Sequence, residues 1–100
     1  MNIRLSNEVI TSIEQHMSKY SRYYDEWYVG ITNNPERRMF NEHNVYESED
    51  RYICYDCEVH LTARSIEQYF LDKGCKGGHG GGDETSTFVY AYKIKNHTQE

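Results

Sequence analysis

The spacing of apolar residues changes character several times along the chain. Ile10, Ile13, Met17 and Tyr20 recur at helical spacing behind Ser6 or Asn7, either of which can cap a helix start. A first helix is therefore expected to about Tyr20, packing one stripe on the core. Ser21–Glu26 is a polar connection. Trp27, Val29 and Ile31 then alternate with Tyr28, Gly30 and Thr32, the period of a strand, with Tyr28 and Gly30 on the less apolar face. Asn34-Pro35 starts a second helix, with Asn as cap and Pro where no hydrogen bond is lost, continuing through Arg37 and Arg38 to about His43.

Asn44–Arg51 reads as an acidic loop. Ile53, Tyr55, Cys57, Val59 and Leu61 alternate with Cys54, Asp56, Glu58 and His60 and predict a second strand. Thr62 can cap a third helix, Ala63 to about Lys73, closed by Gly74. Lys76–Asp83 contains five of the seven glycines and is a loop. Phe88, Tyr90, Tyr92 and Ile94 alternate with Val89, Ala91, Lys93 and Lys95 in a third strand. The expected fold is α/β (α+β): a small, mostly antiparallel three-stranded sheet flanked by three helices, one domain over residues 1–100.

Composition adjusts this picture. A chain of 100 residues buries a modest core, so its ten Tyr, three Phe and one Trp supply much of it. Ten tyrosines exceed what packing needs, which points some of them toward a polar ligand. No apolar run reaches the length of a membrane span and the N-terminus lacks a signal-peptide core, so a cytoplasmic protein without membrane partners is expected. Three cysteines, an odd number, argue against a closed disulfide framework. A net charge of -5 works against independent DNA binding, although a local patch or a bound cation can invert the field at a site.

Glu67 is the most informative residue. It falls inside the apolar stripe of Ala63, Ile66, Phe70 and Leu71. A carboxylate aimed at a core is costly unless it is paired, protonated or bound to a cation. An ion pair and a Mg²⁺ site, which takes few carboxylates and keeps several waters, both meet that condition. Arg37 and Arg38 follow a helix start and offer planar donor forks suited to phosphate, or an ordinary solvated pair of charges. Tyr28 has the placement to orient or deprotonate a water, or to pack half-buried. His43 complements a helix C-terminus or reaches a substrate. Backbone N–H groups of Gly78, Gly80 and Gly81 can cradle a phosphate, or the loop is a plain turn. Cys54-x-x-Cys57 with Cys75 and His79 has the residue types of a zinc site, but strand alternation sends the first two to opposite faces.

Tyr28-Val29-Gly30, Ile-Thr-Asn-Asn-Pro-Glu-Arg-Arg, Glu42-His43-Asn44 and Ala63-Arg64-Ser65-Ile66-Glu67 together resemble the GIY-YIG nuclease signature over roughly residues 27–72. The resemblance implies that Glu67 holds one divalent cation (Mg²⁺ or Mn²⁺), that Arg38 stabilises developing negative charge, and that Tyr28 helps activate water. It implies a metal-dependent endonuclease acting on DNA. The family's first Gly-Ile-Tyr strand is absent before Tyr28, while Thr87-Phe88-Val89-Tyr90 resembles it, so a permuted arrangement is expected in which the last strand pairs with the Tyr28 strand and supplies Tyr90. The family's asparagine after the glutamate helix has no counterpart; the glycine-rich loop stands there.

Two other readings stay open. One is the same scaffold without turnover, binding a nucleic acid, a nucleotide or a protein. The other is an interaction domain whose tyrosine-rich faces meet another protein, whereas the endonuclease is expected to act on DNA with a protein partner or as a homo-oligomer. Convergence of Tyr28, Arg38, Glu67 and Tyr90 in one cleft favours the enzyme; an arginine neutralising Glu67 with no space beside it favours binding.

Overall fold

A computed structural model describes residues 3–78 and 83–100. The elements are helix α1 (Ile3–Tyr20), a short 3-10 turn (Tyr24–Glu26), strand β1 (Trp27–Thr32), a π-helix (Arg37–Glu42), strand β2 (Tyr52–Asp56), helix α2 (His60–Lys73) and strand β3 (Phe88–Lys93). The last strand is central: the order is β1-β3-β2, antiparallel on both sides. This is the expected α+β class, three strands and three helices.

The sheet separates two apolar layers. Trp27, Val29 and Ile31 of β1 and Val89 and Ala91 of β3 face α1 and α2, meeting Val9, Ile13 and Met17 of α1 and Ala63, Ile66 and Phe70 of α2. The opposite face carries Tyr28, Tyr90 and Tyr92, covered by Met39 of the π-helix and by Val45. Every residue of β1 is buried, so the face expected to be less apolar is also inside. Burying both faces makes ring stacking there effective: Tyr28 lies 5.2 Å from Tyr92 and 6.4 Å from Tyr90, centroid to centroid.

Several boundaries differ from the sequence pattern, each for a local reason. Helix α1 starts at Ile3, so Ser6 lies inside it and is buried, and neither Ser6 nor Asn7 is its cap. Tyr20, at helical spacing from the core residues, is 44% exposed. Strand β2 stops at Asp56 because Glu58 adopts φ 65, which turns the chain into α2. Helix α2 therefore begins at His60, with Val59 in the cap position and Thr62 buried inside it. Gly74 closes α2 at φ 118, and its N–H reaches the Leu71 carbonyl.

Asn34 caps the second helix as expected: its Oδ1 accepts from the Arg37 N–H at 3.1 Å. The helix then widens, and the His43 N–H donates to the Arg38 carbonyl at 2.9 Å, five residues back. Such π turns occur often at functional sites. Among the described residues, no helix is long and apolar enough to cross a membrane.

Candidate active site

Beyond α2 the chain runs along the outer edge of β1. The Lys76 N–H donates to the Trp27 carbonyl at 2.9 Å and the Val29 N–H donates to the Lys76 carbonyl at 2.8 Å. Gly77 permits this approach, since a Cβ there would lie 2.7 Å from both the Val29 carbonyl oxygen and a Leu71 methyl. The path brings Gly78 to the Tyr28 hydroxyl, which its backbone hydrogen-bonds.

The same geometry closes a cleft of about 60 Å³ at the β1 edge, lined by Tyr28, Gly30, Arg38, Glu67, Gly78 and Tyr90. Four sequence-selected side chains thus meet there from four elements. Tyr28 comes from β1, Arg38 from the π-helix, Glu67 from α2 and Tyr90 from β3. Antiparallel pairing sets Gly30 opposite Tyr90. A Cβ at Gly30 would lie 2.5 Å from the Tyr90 hydroxyl, so the missing side chain is what admits the phenol.

Glu67 is 3% exposed. Its Oε1 is 3.6 Å from Arg64 Nη1, longer than a charge-assisted hydrogen bond. Among the described residues, no group of three or more His, Cys, Asp or Glu side chains converges, so a cation beside Glu67 would draw on few protein carboxylates and on water. That donor set suits Mg²⁺ and does not suit zinc. Cys54 is exposed and Cys57 and Cys75 are buried, all as free thiols. Burial pushes the Cys57 thiol up to about 11 and the Cys75 thiol up to about 12, which keeps both protonated.

Arg38 is anchored from two sides. Its Nη1 donates to Glu42 Oε1 at 2.9 Å, and a hydrogen bond to Tyr90 holds the guanidinium charged. Its Nε is buried without a hydrogen-bond partner among the described residues, a donor left over at the cleft. Arg37 points elsewhere: its Nε is 3.3 Å from Glu42 Oε2, and it lines an adjoining open groove of about 350 Å³ with Asn33, Arg38, Asp83 and Ser86.

His43 is not at the substrate side of the cleft. It is 3% exposed and sits behind Tyr90. Its Nδ1 lies 2.6 Å from the Gln99 carbonyl, which can only accept, so Nδ1 carries the proton. Its Nε2, 2.8 Å from the Tyr90 hydroxyl, then accepts the phenol proton. Burial lowers the His43 pKa from its ordinary value, keeping the ring neutral, and burial raises those of Tyr28 and Tyr90. The result is a polarised chain: Gln99 carbonyl, imidazole, Tyr90 phenol, Arg38 guanidinium. Sequence reasoning selected both His43 and Tyr90 but did not join them. Nor did it see that Tyr92 supports the dyad, with its hydroxyl 3.2 Å from Nδ1. Gly80 and Gly81, selected as phosphate donors, and His79 lie outside the described residues.

No family model matches the chain, and no curated protein or solved structure matches it at a significant level.

Proposed function

We propose that this chain is a metal-dependent phosphodiester hydrolase, an endonuclease of GIY-YIG type acting on DNA, with Glu67 as the ligand of Mg²⁺ or Mn²⁺. The observation that carries the reading is the meeting of Tyr28, Arg38, Glu67 and Tyr90 in one cleft, three of them drawn from segments that resemble the family's motifs. Tyr90 fits the missing first tyrosine through the direct pairing of β3 with β1, a permuted connection of the same strands.

Glu67 would hold a divalent cation, and that cation would supply Lewis-acid chemistry at the scissile phosphate. Arg38, whose side chain is partly exposed at the cleft, binds a phosphate oxygen through its guanidinium and stabilises the charge that develops there. Tyr28, steadied by the Gly78 backbone, orients the attacking water. Tyr90 accepts a proton from that water while its own phenol proton passes to His43 Nε2, so no free phenolate is needed. The imidazolium that forms keeps its Nδ1–H on the Gln99 carbonyl. The new P–O bond comes from water, and the departing deoxyribose oxygen takes its proton from solvent.

The second reading, a binding module for a nucleic acid, nucleotide or protein, is favoured by two observations: Arg64 lies 3.6 Å from Glu67, and Glu42 engages both Arg37 and Arg38, which weakens their attraction for a second anion. On the hydrolase reading, a protein partner or second copy supplies further DNA contacts that the acidic chain lacks. Incubating supercoiled plasmid with the protein in Mg²⁺ or in chelator separates the two. The hydrolase reading expects metal-dependent nicking that Glu67→Gln abolishes, and the binding reading expects retained DNA with no nicks.

A further inference from the structure

At the other end of β1, the C-terminal turn of α1 and the following connection border an open groove of about 460 Å³ whose lining includes Lys19, Tyr20, Arg22, Tyr23, Glu26 and Lys93. Arg51 reaches the same place, its guanidinium 4.6 Å above the Tyr20 ring. Four of the chain's eleven basic residues therefore gather around one groove on a protein of net charge -5. Glu26 is the one carboxylate in the lining, and Lys93 holds it at 3.4 Å.

Tyr23 is 68% exposed, an unusual position for so large a ring. Lys19 in the last turn complements the helix dipole, Lys93 pairs with Glu26 and Arg51 covers Tyr20, which leaves the exposed Arg22 and Tyr23 without a structural role. Beneath the groove, His16 packs edge-on against Tyr20 at 5.2 Å, and its Nε2 is buried without a hydrogen-bond partner among the described residues. Burial lowers its pKa, and the charges of Lys19 and Arg51 lower it further, a sign of positive potential there.

We propose that this groove is a contact for single-stranded nucleic acid, in which Lys19, Arg22, Arg51 and Lys93 neutralise phosphates while Tyr23 and the Arg51-backed Tyr20 stack unpaired bases. Cations tracking a backbone beside exposed aromatic faces are what sequence-tolerant single-strand binding requires. A membrane surface would call for aliphatic residues, which the lining of the groove lacks. The groove lies at the Trp27–Lys93 end of the sheet and the arginine groove at the Ile31–Thr32 end, roughly 16 Å along the strand at about 3.3 Å per residue. The proposal stands independently of the catalytic reading.

Fluorescence anisotropy of a labelled oligothymidylate with the full chain in chelator tests it without cleavage. Four phosphate contacts predict that log Kd rises with log salt with a slope of about 3. Loss of one stacking ring in Tyr23→Ala weakens binding roughly ten-fold. Arg22→Glu weakens it at least as much, whereas Lys73→Glu, a charge reversal of the same size at the exposed end of α2, changes Kd less than about two-fold. Absence of binding by the folded wild type overturns the proposal. So does equal weakening by Lys73→Glu, or tighter binding to duplex or to anionic vesicles than to the oligothymidylate. Binding that survives in a protein unable to nick plasmid counts against the catalytic reading alone.

Discussion

Tyr90 faces Gly30 directly across the β1–β3 ladder, and its hydroxyl occupies the position from which a side chain at residue 30 would begin, 2.5 Å from an ideal Cβ. The two residues act as one device: the glycine is needed because of the tyrosine. Gly30→Ala should displace the Tyr90 ring and destabilise the fold by about 1–3 kcal/mol, as overpacking does. In a Tyr90→Leu background the same substitution should cost less, because the clashing phenol is gone. Urea denaturation of the double-mutant cycle measures this coupling, and strict additivity would contradict it.

The buried dyad makes a second expectation. Tyr90→Phe keeps the ring but leaves His43 Nε2 without its donor, so stability should fall by about 1–2 kcal/mol while the fold persists. His43→Ala removes the acceptor as well as a packed ring and should cost more, about 2–4 kcal/mol. Thermal or urea denaturation ranks the two. If Tyr90→Phe destabilises as much as His43→Ala, the hydrogen bond rather than packing dominates.

Two buried histidines give the protein an acid-side weakness. His43 and His16 both have pKa values lowered by burial, so the unfolded chain binds protons near its ordinary value of about 6.5 that the folded chain refuses. Stability is therefore full above that value and declines as pH falls through it. Asp50 is shifted in the same direction from a lower starting point: burial opposes its ionisation, but the Tyr46 N–H and His97 outweigh this and lower its pKa, so its contribution is lost only at much lower pH. Urea midpoints between about pH 7.5 and 5.5 should thus fall with acidification, and His43→Gln should flatten part of that slope. Cleavage that needs neutral His43 should outlast the onset of this decline and fade only at lower pH, below the ordinary histidine value, because the folded-state pKa is lowered.

Asp50 pins the C-terminal segment that orients His43. Its Oδ2 is 2.6 Å from His97 Nε2 and accepts from the Tyr46 N–H at 2.8 Å, while the Gln99 N–H donates to the His43 carbonyl at 2.7 Å. Asp50→Ala should destabilise by roughly 1–3 kcal/mol, because the part-buried Tyr46 N–H and the partly exposed His97 lose their acceptor. Hydrogen exchange should report faster opening of residues 94–100 than of α2. Unchanged protection there would remove the link between this pair and the dyad.

Local patterns made much of this arrangement legible. The two-residue period placed Tyr28 and Gly30 on one face of β1, and the helical period put Glu67 in a buried stripe; both hold because side-chain direction follows backbone geometry. The Asn34 cap and the Gly74 terminus were equally readable. Alternation failed where backbone conformation broke it: the pattern Ile53–Leu61 runs on through Glu58, whose left-handed φ ends the strand. The π turn was invisible because Arg38 and His43 carry no spacing that separates five-residue from four-residue hydrogen bonding. The His43–Tyr90 and Asp50–His97 pairs join residues 47 apart, and only the central position of β3 brings them together. Two tyrosines on one face of the last strand, and a histidine closing the second helix, were the available hints.

The central claim is that one cleft performs phosphodiester hydrolysis, and single-turnover nicking of supercoiled plasmid in Mg²⁺ tests it most directly. Wild type should nick only with the divalent cation present. Tyr90→Phe should lower the rate by roughly 10²–10⁴, the usual worth of a positioned proton-transfer group. Glu67→Gln should abolish nicking while remaining folded by circular dichroism. No nicking by folded wild type, or nicking that Glu67→Gln leaves intact, would contradict the account.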